Sequence, residues 1–291
     1  MRRVRGVVPA LAAALAALVT ATLNERVAAA GGAPPRRIVS LNLCTDQLLV
    51  DLVPASRIAA LSRLAADAKL SAVASRVGAI PLTGGAAEDV LALDADLVVT
   101  SEHAAPATIA LLRRLGRRVV TVPLASDFDG YRAALRKLAD AVGDVAQGER
   151  LIADFDARLA AIRRDEASGR RRPTALSWEI NRLTAGAGTL VDAEMRAAGL
   201  DNAARGASGV LPLETIVAQP PDVLVLANSA DDYATAAADN LRHPALADAM
   251  RGREVVRLPM PLWLCAGPRS LDAVELLAAA RARVEAKAVP Q

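Results

Sequence analysis

The chain has 291 residues, of which 35 are Lys or Arg and 32 are Asp or Glu, giving a formal charge of +3 and an apparent isoelectric point near 9.2. Arg2, Arg3, Arg5, Arg26 and Glu25 account for that charge, so the remainder of the chain is close to neutral. With no basic tract interleaved with aromatics, nucleic acid is not an indicated partner.

The first thirty residues read as a secretory signal peptide. A basic start is followed by an apolar Ala/Leu/Val run over residues 7–19 and by Ala28-Ala29-Ala30 before Gly31, a small-residue cleavage site. The run is too short to span a bilayer, which makes a membrane anchor the weaker alternative. The sequence therefore predicts a periplasmic protein of roughly 260 residues, enough for two domains with their own cores.

Ile38-Val39-Ser40-Leu41 is a short apolar strand, followed by a polar turn over residues 42–46 and a helix that stops at Pro54. Residues 58–61 form a second strand. Gly84-Gly85 opens a short helix leading into the strand at 97–100; a helix over 108–115 ends at Gly116, and 119–122 is the next strand. Strands alternating with helices at this spacing predict a parallel, helix-covered sheet. Apolar residues then recur at steps of three and four from Phe128 to Val142 and again from Val145 to Ile162, two amphipathic helices separated by Gly143. The second, from about Asp144 to Asp165 within a connecting segment placed at 143–167, would be roughly 33 Å long and reads as a strut. After Pro173 the alternation restarts, with strands at 175–178, 223–226 and 255–258 and a last helix over 271–287. The predicted lobes are residues 36–142 and 173–286.

The two halves share a motif. Residues 88–99 (EDVLALDADLVV) match residues 214–225 (ETIVAQPPDVLV), each with a Glu eight residues before an Asp that precedes a strand. The Asp reads as a turn or cap residue and each Glu suits a helix start, where the dipole favours its charge. Those local roles leave the matched placement of Glu88 and Glu214 unexplained.

These segments, with the single long helix, Gly188-Thr189-Leu190, residues 198–202 (AGLDN) and Gly267-Pro268-Arg269, resemble the periplasmic binding proteins of ABC importers for iron chelates and cobalamin. The resemblance covers nearly the whole mature chain. It implies an α/β fold of two Rossmann-like lobes with central parallel sheets, joined by one long α-helix, with the ligand in the cleft between them. It also implies that a Glu at the tip of each lobe, here Glu88 and Glu214, docks onto a permease dimer in the inner membrane. A monomer carrying a small-molecule metal chelate, with no cofactor of its own and no resident metal, is the expected form.

Ligands of α/β lobes sit outside the carboxyl ends of the strands. That places Asn42, Arg63, Glu102, Trp178, Trp263, Leu264 and Cys265 around the cleft, and His103 follows the strand that ends near Glu102. In cobalamin-binding relatives an aromatic before the Pro-Arg pair lies against the corrin, and the resemblance assigns that place to Trp263. A second aromatic of those relatives falls on Arg63, a departure that favours an oxygen-rich ligand such as a ferric siderophore, because a guanidinium offers fixed donors. Cobalamin and haem are the alternatives in the same role. Cys44 and Cys265, one per lobe, are either a disulfide across the cleft or two small apolar side chains. A secreted α/β hydrolase is the rival of another class. The chain has no Gly-x-Ser-x-Gly elbow, HExxH or P-loop, and only two histidines, which count against an enzyme and against a direct zinc or manganese binder.

Overall fold

The computed structural model describes residues 33–102, 104–164, 171–226 and 238–287; the signal segment, His103 and the last residues of the predicted connecting helix, 165–167, lie outside them. In the first lobe β1 (Ile38–Ser40) leads to α1 (Leu43–Leu52), β2 (Ile58–Ser62), α2 (Ala74–Val77) and β3 (Leu82–Thr83). It continues through α3 (Ala87–Ala92), β4 (Leu97–Ser101), α4 (Pro106–Arg114) and β5 (Val119–Val122). The five strands are all parallel in the order β3-β2-β1-β4-β5. Buried on both faces, β1 and β4 are continuous apolar or small-polar runs, as a helix-covered parallel sheet requires.

Two helices follow, α5 (Phe128–Val142) and α6 (Val145–Arg164). Asp127 caps α5 by accepting from the Gly130 amide, and Gly143 ends it in the left-handed conformation that its missing Cβ permits. The hairpin closes tightly because position 148 is glycine: a Cβ there would lie 2.6 Å from that of Ala139.

The second lobe runs through β6 (Thr174–Trp178), β7 (Leu183–Thr184), α7 (Leu190–Ala197), β8 (Asp201–Asn202), β9 (Gly209–Val210), α8 (Leu213–Ala218) and β10 (Val223–Leu226). It ends with α9 (Pro244–Ala249), β11 (Glu254–Arg257) and α10 (Ser270–Lys287). Its parallel sheet has the order β11-β10-β6-β8, and β7 pairs antiparallel with β9 beside it. Strands β8, β6, β10 and β11 occupy the places that β2, β1, β4 and β5 hold in the first lobe.

The repeated motif has a structural basis in both halves. Asp96, just before β4, accepts the backbone amides of Arg36 and Arg37 at 2.7 and 3.0 Å. Asp222, just before β10, accepts the Thr174 amide and hydroxyl at 2.9 Å. Each carboxylate thus ties the entry of a lobe's first strand to its central neighbour. Val90 and Ile216, on the helices before those strands, are both fully buried.

Helix α6, roughly 30 Å long, is held on both sides. Ile152, Phe155 and Leu159 are buried, Phe155 packing on Phe128 and Tyr131 with ring centroids 5.3 and 4.7 Å away. Arg136 pairs with Glu149 at 2.7 Å toward α5, and Arg158 pairs with Asp272 and Glu275 of α10 at 2.7 and 2.8 Å. One apolar core runs from the first sheet through α5 and α6 into the second lobe. Among the described residues no helix is long and apolar enough to cross a membrane.

Candidate ligand cleft

The seam between the lobes is built on one face of α1. Asn42 caps this helix by accepting the Cys44 amide at 3.0 Å, which fixes where its first turn begins. Cys44, Gln47, Leu48 and Asp51 then recur at helical spacing on a single face. Opposite them lies the stretch that follows the 3-10 turn Met260–Leu262 of the second lobe. A disulfide joins Cys44 to Cys265, with Cα atoms 5.2 Å apart at a sequence separation of 221.

Two cavities flank this seam. The larger, about 420 Å³, is lined by Asn42–Thr45, Leu48 and Leu64 of the first lobe, by Val122–Ala125 after β5, by Ala134 of α5 and by Leu264–Ala266. Its walls are apolar, and Leu64, Leu124 and Leu264 remain 48%, 49% and 41% exposed. The smaller, about 250 Å³, has mixed walls, with Gln47, Asp51, Ser75 and Arg76 on one side and residues 266–269 on the other. Leu48 and Ala266 belong to both.

Asn42, Leu264 and Cys265 are cavity residues, as their position after β1 and near the carboxyl end of the second sheet implies. Four other candidate residues do not line either cavity. Trp178 is fully buried: two residues from Leu176, it shares the sheet face that α8 and α9 cover, and its indole nitrogen donates to the Leu211 carbonyl at 3.1 Å. Trp263 is 6% exposed and packed in the main core, because the turn in which its amide reaches Met260 rolls it inward and turns the next residue, Leu264, outward. Arg63 stands outside the cavity; its guanidinium lies 3.3 Å from where a Cβ on Gly84 would be, as does the Asp89 carboxylate. Glu102 is exposed beyond β4 and lines neither cavity. Sequence reasoning missed Leu64, Leu124 and Ala125. The carboxyl-end rule, applied to β5 as it was to β1, locates the last two.

Asp46 lies under the cavity floor, fully buried in the first turn of α1, accepting the Ser62 amide at 3.2 Å and the Ser62 hydroxyl. Burial pushes its carboxyl from the ordinary 3.8 up to about 6, against the pull of hydrogen bonds from Ser40 and Ser62. The protonated acid therefore favours the fold: this contribution is complete below about pH 4 and is lost as the pH rises through 6. Two pH units correspond to about 3 kcal/mol. In urea titrations the stability of the wild type relative to Asp46→Asn should rise by up to that amount between pH 7 and pH 4; a constant difference would show that Asp46 titrates normally.

Burial likewise pushes the Glu194 carboxyl of α7 well above its usual range, with the neighbouring Ser270 hydroxyl working against it. That hydroxyl donates to the Cys265 carbonyl at 3.4 Å, and neither Glu194 oxygen has a well-aligned hydrogen bond. This buried carboxyl thus lies next to the Ser270 hydroxyl that holds the loop carrying the disulfide.

Glu88 and Glu214 are both exposed in the first turns of α3 and α8. Each helix runs toward the start of the next strand, so each Glu stands at the carboxyl edge of its sheet, the edge that faces the cleft. Among the described residues neither carboxylate has a hydrogen-bond or ion-pair partner.

Two α/β lobes bridged by one helix, with an open apolar cavity where the strand ends meet, define a two-lobe binding protein. Residues 38–262 match the periplasmic binding protein family, and the chain belongs to it. Among solved structures it is similar to the periplasmic heme-binding protein RhuT from Roseiflexus sp. RS-1, with 27% identity over 86% of this chain and 98% of that one and a TM-score of 0.70. It is also similar to a periplasmic heme binding protein from Pseudomonas aeruginosa, at 25% identity over 85% of this chain and 92% of that one, TM-score 0.68. The periplasmic vitamin B12 binding protein BtuF of Vibrio cholerae shares the fold at 19% identity over 87% of this chain and 98% of that one, TM-score 0.67. No curated protein matches the chain.

Proposed function

We propose that this protein is exported by its first thirty residues, captures an iron tetrapyrrole of the haem type in the periplasm and hands it to an ABC permease. The observation that carries the choice of ligand is the apolar cavity with its three half-exposed leucines. Leaving such side chains in water is unfavourable, and fully burying one stabilises by about 1.5–3 kcal/mol, so a flat apolar macrocycle gains from Leu64, Leu124 and Leu264 together. A ferric siderophore would want fixed donors to its oxygens, and Arg63, the candidate for that role, lies beside Gly84 and lines neither cavity. The haem-binding proteins similar to the chain at 27% and 25% identity support the same choice. In this reading the protein is a carrier and performs no chemistry on its cargo.

Among the described residues lining the cavity none offers an imidazole, a phenolate or a free thiolate, so contact with the macrocycle face carries the affinity from these walls. Leu264→Asp removes one apolar contact and brings a carboxylate against the ring. The expected result is at least about 2 kcal/mol weaker haemin binding, roughly thirtyfold in Kd, by absorbance titration. Unchanged affinity would remove the cavity from the site.

A further inference from the structure

We infer that the Cys44–Cys265 bridge sets the size of ligand the cleft accepts, an inference that rests on the tetrapyrrole reading above. The two cavities, of about 420 and 250 Å³, share Leu48 and Ala266 as lining residues. Cys44 lies one helical turn before Leu48 on the same face of α1, and Cys265 is the residue before Ala266, so the covalent bond spans the cleft directly beside the wall that divides it. Bridged cysteines keep their Cα atoms within about 7 Å. From 5.2 Å the seam can therefore open by no more than about 2 Å while the bond is intact.

The seam also contains a group that the closed arrangement leaves unsatisfied. Gln47, on the same face of α1, is 8% exposed and its Nε2 has no hydrogen-bond partner. Separation of Leu48 from Ala266 would give that amide access to water or to a ligand oxygen, which lowers the cost of opening once the covalent restraint is gone. With the bridge closed, the ligand must fit against the 420 Å³ compartment alone, near the lower end of the range for small-molecule sites. Without it the compartments merge, and a tetrapyrrole carrying bulky substituents gains the space and the mixed walls of the second. The disulfide thus selects a flat ligand over a bulky one.

The test titrates full-length mature protein with haemin and with cyanocobalamin in three forms: oxidised wild type, wild type reduced by a phosphine without denaturant, and the C44S/C265S variant. The ratio of cobalamin to haemin affinity should rise by at least about tenfold in the two unbridged forms. All titrations are made below the melting temperature of the least stable form, with the folded state checked by circular dichroism. A cobalamin-to-haemin affinity ratio that is the same with and without the bridge overturns the inference. Absence of binding of either ligand to folded protein in every form overturns the tetrapyrrole reading itself, and this inference with it.

Discussion

Replacing Cys44 and Cys265 by serine should be the most destabilising conservative change available to this protein. In the chain-entropy description, a bridge closing a loop of 221 residues restrains the unfolded chain by about 5 kcal/mol. For a protein of this size that corresponds to a fall in melting temperature of roughly 10–20 °C. The bridge also joins the two lobes, so the loss should appear partly as earlier separation of them, read as a broader calorimetric transition or as two transitions. A melting temperature within about 2 °C of the oxidised wild type would show that α6 and the shared apolar core hold the lobes together unaided.

Replacing both Glu88 and Glu214 by Ala should abolish transport through the cognate permease while leaving the protein otherwise intact. Each carboxylate is exposed and has no partner among the described residues, so its removal should change stability by less than about 1 kcal/mol. Against arginines of a permease the same charges would be desolvated and would fix orientation, where truncating one partner commonly costs 2–5 kcal/mol. Uptake by cells carrying the double variant, with haemin affinity and melting temperature measured alongside, separates the roles. Normal uptake would sink the docking assignment; lost ligand binding would place the carboxylates in the pocket.

The architecture was legible because it is written in runs. Buried parallel strands such as Leu97–Ser101 and Val223–Leu226 are short uninterrupted apolar segments, and Gly116, Gly143 and Gly199 mark helix ends with the positive φ that favours glycine. The duplication could be seen because Asp96 and Asp222 perform the same backbone clamp in each lobe, so the spacing from Glu to Asp to strand is retained. The short strands β3, β7, β8 and β9, of two residues each, were not legible, since two residues carry no periodicity.

The cleft was legible only as a set of loops. Which residue of a loop faces inward depends on turn geometry that composition does not encode: Trp263 and Leu264 are adjacent, yet one is core and the other cavity wall. The same holds at Arg63 and Leu64, where the guanidinium turns to Gly84 and the leucine remains half exposed beside the cavity. Large aromatics drew attention to themselves, but tryptophan is also a core residue, and Trp178 finds its single polar partner in the Leu211 carbonyl. Whether two cysteines 221 residues apart meet is decided by how closely the lobes approach, a property of the assembled fold.

The most direct measurement is an equilibrium titration of the mature protein with haemin in competition with a ferric hydroxamate siderophore. Saturable one-to-one haemin binding, undisturbed by excess siderophore and weakened by Leu264→Asp, is the predicted result. Displacement of haemin by the siderophore at comparable concentration, or haemin binding indifferent to Leu264→Asp, would contradict the assignment of the apolar cavity to a tetrapyrrole.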